Sequence, residues 1–214
     1  MKRWFIYLTA GLLALLLGVA LNILIQGSDP VVLSHEDNIL KHGTALTGQE
    51  RPLPPFLLTD KNGQPFDNKR LKDKWSFLFF GYTHCPDICP VTLQVMGQTL
   101  KILEKAGVAD KVQAVFVSVD PERDTIPHLK TYAEYFHPNM QAATGSTTEL
   151  ERLTRPLGIV YARVENKDNP EQYLVDHSAQ ILVINPEGQF AAVFGAPHDP
   201  KTLAEELQIL MNHG

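Results

Sequence analysis

Cysteine is scarce in this sequence of 214 residues, which has only Cys85 and Cys89. At most one internal disulfide is available, and closing so short a loop restrains the unfolded chain little. A purely structural role therefore explains the pair poorly. Basic residues are in the minority too, 19 against 24 acidic, and two of the 19, Lys2 and Arg3, lie ahead of an N-terminal apolar segment that all the acids follow. A body with that balance repels phosphate backbones, which removes the electrostatic support for nucleic-acid binding. Internal repeats and low-complexity tracts are absent, and the length suits one domain with an appendage rather than two domains.

Charge is missing altogether from Trp4 to Ile25. About 22 residues at ~1.5 Å each cover the ~30 Å hydrocarbon core of a bilayer, so the stretch reads as one transmembrane helix. The competing reading is a cleaved signal peptide, with Lys2-Arg3 ahead of it and Gly18-Val19-Ala20 as a small-residue cleavage site. Apolar Leu21, Ile23, Leu24 and Ile25 continue past that site, which favours an uncleaved anchor. No basic residue stands between Arg3 and Lys41, so the N-terminus is expected in the cytoplasm and the bulk on the far side. An Arg-rich, Ser-rich transit peptide has no room. The expectation is a single-pass protein of a bacterial inner membrane with its domain in the periplasm. Residues 1–26 are then the cytoplasmic N-terminus and anchor, 27–50 a tether, and 51–214 the folded domain.

Arg51-Pro52-Leu53-Pro54-Pro55 interrupts regular structure, and Phe56 to Phe66 reads as a hairpin turning at Lys61-Asn62-Gly63. Trp75 to Phe80 is a nearly continuous apolar run, as in a strand buried on both faces. Leu93, Met96, Leu100 and Leu103 recur at helical spacing after Pro90, with Gly107 beyond the end. Val112 to Val119 is a second buried strand, which makes a right-handed βαβ unit with parallel strands. Further on come a helix over Thr125–Phe136, a short strand over Met140–Thr144, and a helix opened by a capping-box match, Ser146 to Glu149. Ile181–Ile184 and Phe190–Phe194 flank Pro186-Glu187-Gly188 as a hairpin, and Asp199-Pro200 opens a last helix. The chain reads as an α/β domain.

Both cysteines lie in Gly81-Tyr82-Thr83-His84-Cys85-Pro86-Asp87-Ile88-Cys89-Pro90, between the first buried strand and its helix. Loops off the carboxyl ends of strands are where open α/β sheets bind ligands. Pro90 suits the first helical position, which puts Cys89 at the N-cap and both sulfurs at the positive end of the helix dipole. That setting favours thiolate, the form that binds metals and attacks disulfides. A metal site and a redox pair both remain open on this ground.

The sequence resembles the SCO/SenC family of thioredoxin-fold copper chaperones, which help assemble the binuclear copper centre of cytochrome c oxidase. Three stretches carry the resemblance: Gly81 to Pro90, Val117 to Thr125 and Val175-Asp176-His177-Ser178. It implies a thioredoxin-like fold with an N-terminal β-hairpin, here preceded by the transmembrane helix, and copper held by Cys85, Cys89 and His177. It also implies the copper-bearing oxidase subunit as client, with other copper carriers or thiol-disulfide reductants as further partners. Two thiolates suit Cu(I), and an added imidazole supports Cu(II). A structural zinc site would call for a fourth protein ligand. The rival function is a membrane-anchored thiol-disulfide reductase or thiol peroxidase using Cys85 and Cys89 as its redox pair. CxxxC spacing and a histidine where a thioredoxin-like protein carries a proline favour copper.

His84 competes with His177 by proximity, but on an extended segment it would face away from a metal held by Cys85. The other histidines default to solvated positions. Asp120 either tunes the site or caps the turn at Pro121, Asp176 either supports a ligand from behind or fixes its loop, and Met96 and Met140 belong to the core rather than to copper.

Overall fold

The computed structural model describes residues 38–167, 169 and 172–213. The expected anchor and the first part of the expected tether lie outside them. Among the described residues no helix is long and apolar enough to cross a membrane.

Two short strands, β1 (Gly43–Ala45) and β2 (Arg51–Pro52), precede the hairpin of β3 (Leu57–Asp60) and β4 (Pro65–Asp67). The hairpin turns where expected. Asp60 Oδ1 accepts the N–H groups of Asn62 and Gln64 at 2.8 and 2.9 Å, and Gly63 takes the positive φ of 77° that the turn requires. Next come β5 (Trp75–Gly81), α1 (Ile88–Lys105), β6 (Val112–Ser118), α2 (Ile126–Phe136), β7 (Gln141–Thr144) and α3 (Thr147–Thr154). β8 (Tyr161–Val164), β9 (Leu174–His177), β10 (Ile181–Ile184), β11 (Gln189–Phe194) and α4 (Pro200–His213) complete the chain.

The main sheet runs β1-β11-β10-β5-β6-β7-β3-β4, with β2 also on β11. β5, β6 and β7 are parallel, and the remaining pairings are antiparallel. All seven residues of β5 are buried, as its unbroken apolar run requires of a central strand covered on both faces. Phe79 pairs with Phe116 on β6 and with Ile181 on β10, at the centre of the core. α1 crosses from β5 to β6 and packs on α2 and α4. The expected thioredoxin-like α/β fold is met.

Four expectations need correction. The packed unit begins at Asn38, not Arg51. Residues 39–46 carry no sequence period that distinguishes them from a tether, yet Leu40, Ala45 and Leu46 are buried and β1 pairs with β11. Glu206 of α4 secures them, accepting the N–H groups of Lys41, His42 and Gly43 at 3.1, 2.8 and 2.9 Å. Second, α1 starts two residues early: its N-cap is Asp87, so Cys89 lies inside the first turn and Pro90 is the third helical residue, where a missing N–H still costs no intrahelical bond. Third, Ser146 caps α3 as expected, but Glu149 does not complete a reciprocal box. Its carboxylate accepts from Leu57 N–H at 2.9 Å and from Arg152 at 2.7 Å. Fourth, β8 and β9 form a separate two-stranded antiparallel sheet that the sequence reading missed. His177 ends β9 rather than lying in a loop.

Candidate metal centre

The carboxyl end of β5, the first turn of α1 and the end of β9 converge on one point. Cys85, Cys89 and His177 each present a ligand atom there, all within 4.8 Å of one another. Cys85 is half-buried, Cys89 fully buried, and both are free thiols. Cys89 comes this close to the sheet because Gly81 has no side chain: a Cβ there would stand 2.5 Å from Cys89 Sγ.

Cys89 Sγ lies 3.2 Å from His177 Nε2. The other ring nitrogen, Nδ1, is 3.1 Å from the Ser178 carbonyl. A carbonyl can only accept, so Nδ1 donates to it, which fixes the ring with Nε2 facing the sulfurs. Phe79 and Tyr82 hold the ring edge-on from two sides, each with its centroid 5.9 Å away.

The two thiols are unlike. The hydrogen bond from Cys89 lowers the Cys85 thiol to about 3; burial opposes this, while His177 and the backbone N–H groups of Asp87 and Cys89 assist. The same bond, with burial, pushes Cys89 up. One proton thus stays on Cys89 and the negative charge on Cys85. Burial also raises Tyr82, and the charge on the pair adds to it.

The other candidates fall elsewhere. His84 is exposed and contacts Thr83 and Asp124 rather than the sulfurs, its ring 5.6 Å from that of His128. It faces away as expected, although on a turn and not an extended segment. Asp120 is buried and touches neither cysteine; it accepts from Tyr173 Oη and Arg123 Nε, both at 2.6 Å. Its carbonyl also takes the Arg123 and Asp124 N–H groups, nearer the turn-capping alternative. Asp176 is exposed on the opposite face of β9 from His177. Met96 and Met140 are core, both 0 % exposed. Among the histidines left as solvated, His137 departs, being buried beside Glu104 of α1.

Asp124 is the residue that sequence reading missed. Its buried carboxylate accepts from Thr83 N–H at 2.9 Å, Thr83 Oγ1 at 2.5 Å and Ser118 Oγ at 2.6 Å, so it ties the cysteine loop to the end of β6. The available signal was a second acid four residues after Asp120 at the same sheet edge.

A family model described as SCO1/SenC matches residues 44–212. Among curated proteins, the chain is 40% identical over 152 residues to the mitochondrial SCO1 homolog 1 of Arabidopsis thaliana, covering 71% of this chain and 44% of that protein. It is 34% identical over 198 residues to an SCO2-like protein of Rickettsia conorii, covering 92% and 93%. The chain thus spans less than half of the plant relative and nearly all of the bacterial one. Among solved structures, Arabidopsis thaliana ScoI with copper bound superposes with a TM-score of 0.70 at 37% identity, over 76% of this chain and 99% of that one.

Proposed function

The chain belongs to the SCO1/SenC family, and on that premise we propose that it binds copper through Cys85, Cys89 and His177 and delivers it to the binuclear copper centre of cytochrome c oxidase during assembly. One observation carries the ligand set: His177 aims Nε2 at Cys89 while Nδ1 is engaged by Ser178. Copper is the cargo here. Two sulfurs and one imidazole suit Cu(I) by softness and Cu(II) by the added nitrogen, so one site serves both states. Binding Cu(I) between two thiolates displaces the proton that Cys89 holds; passing the metal to a client's ligands returns it. The copper-bound plant relative supports the reading.

We also propose that residues 1–26 anchor the chain in a bacterial inner membrane, with the domain in the periplasm, since Lys2 and Arg3 are the only charges near the start of the apolar stretch. A reporter active solely in the cytoplasm, fused after Gly214, is expected to stay silent. A strong signal overturns that topology.

The asymmetric thiol pair favours a second reading, thiol-disulfide exchange. The Cys85 thiolate would attack a disulfide of the client, releasing one client thiolate. Cys89, giving up its proton to that thiolate, would then attack Cys85 Sγ of the mixed disulfide. That second attack releases the other client sulfur as a thiolate, so the client leaves with one thiol and one thiolate and the chain as a Cys85–Cys89 disulfide. Copper titration of the reduced domain separates the two. One Cu(I) per chain, lost in Cys85→Ser and Cys89→Ser, supports the chaperone; no binding with rapid turnover of protein disulfides supports the reductase.

A further inference from the structure

His177 is carried by an arm, the β8–β9 sheet, that among the described residues shares no strand pairing with the main sheet. The short link from His177 to β10 at Ile181 and side-chain contacts together fix where the arm lies. Tyr173 immediately precedes β9 and is 5 % exposed. Arg123, on the segment between β6 and α2, donates from Nη1 to the Tyr173 carbonyl at 2.9 Å and lays its guanidinium 3.5 Å from the Tyr173 ring centroid. Asp120 closes the triangle, accepting Tyr173 Oη on one oxygen and Arg123 Nε on the other, each at 2.6 Å.

We propose that Asp120, Arg123 and Tyr173 form a clamp that positions His177 over the cysteine pair. The strand period places Tyr173, Val175 and His177 on the same inward face, so fixing one end of that row sets the other about 13 Å away. A second path runs through Tyr82, whose ring lies 5.6 Å from the Arg123 guanidinium and 5.9 Å from the His177 ring. The clamp is poorly suited to a merely stabilising role. Arg123 Nη2 is buried with no hydrogen-bond partner, and a buried ion pair adds little net stability while fixing geometry closely. Lysine cannot replace the planar fork that holds two partners and stacks on a ring. These are positioning residues; none touches the sulfurs.

The inference rests on His177 being the third ligand, so the test begins there. His177→Ala is expected to change the Cu(II) absorption and spin-resonance spectra; unchanged spectra overturn the ligand assignment. Arg123→Lys should then weaken Cu(II) about tenfold or more, the range for residues that orient a metal-bound histidine. Its spectra should shift toward those of His177→Ala, with Cu(I) changed less than about threefold. In the His177→Ala background it should add nothing, because the effect passes through that ring. An equal loss in both backgrounds, or none in either, overturns the clamp. Amide exchange needs no metal and serves as a second measurement: protection of β9 should fall in Tyr173→Phe, which keeps the ring and removes only the bond to Asp120. Unchanged protection also overturns the clamp.

Discussion

Cys89 Sγ stands 3.2 Å from His177 Nε2, joining a helix first turn to the end of a strand 88 residues away. A soft sulfur pair and an imidazole thereby share one small volume, and the contribution of each can be measured separately.

His177→Ala should weaken Cu(II) by about tenfold or more, and Cu(I), which the two thiolates satisfy, much less. His84→Ala should leave both unchanged, since its ring rests against Asp124 and His128. Competition with chelators of known affinity gives the four constants. A Cu(II) effect confined to His84→Ala would reverse the assignment.

Iodoacetamide should modify Cys85 well before Cys89. Cys85 is half-buried and held at about 3, against an ordinary 9.0, so its thiolate persists through mild acid. Its rate should stay nearly flat from about pH 8 to pH 5, where an unperturbed thiol slows about tenfold per unit. Cys89→Ala removes the donor and should move the profile to higher pH. Mass spectrometry identifies the site, and preferential labelling of Cys89 would contradict the charge assignment.

Gly81→Ala places a methyl group 2.5 Å from Cys89 Sγ and 3.2 Å from the rings of Phe79 and Phe116. The start of α1 must shift. Overpacking of this kind costs about 1–3 kcal/mol, and the displaced sulfur should lower Cu(I) affinity while both thiols remain titratable. Urea unfolding and Cu(I) competition read the two effects, and wild-type affinity would mean the loop absorbs the methyl elsewhere.

Glu206 makes the stability of the N-terminal edge depend on pH. Burial alone would raise its carboxyl, but the N–H groups of Gly43, His42 and Lys41 and the His42 ring outweigh it and hold the group low. The folded value lies below the unfolded one. The unfolded chain therefore takes up the proton first as pH falls, so the stabilisation is full above an ordinary 4.5 and is lost as pH drops through the folded value. Glu206→Gln should cost about 1–3 kcal/mol at pH 7 and less at pH 3. An equal cost at both would remove the carboxylate from the account.

The βαβ unit was legible because β5 and β6 are unbroken apolar runs and α1 keeps a helical stripe; position and residue type together then placed the cysteines at the sheet edge. β1 escaped because Gly43-Thr44-Ala45 has no alternation and is held by α4, far along the chain. β8 and β9 escaped because apolar Val164 and Leu174 stand at exposed positions, so hydrophobicity does not alternate along the strands as burial does. Asp124 went unremarked because an acid in a turn is ordinarily solvated. What singles it out, three hydroxyl and amide donors from two other segments, exists only after folding.

The separate β8–β9 sheet also bears on the order in which the binding site forms. Cys85 and Cys89 are near neighbours, and a single βα unit brings them together early, with little loop entropy lost. The contact between Cys89 and His177 spans 88 residues and carries a larger loop-closure cost. Any state in which the thiol pair has formed and β9 has not docked leaves the sulfurs without the imidazole and most open to oxidation. Reducing conditions matter most there, before His177 closes over the sulfurs.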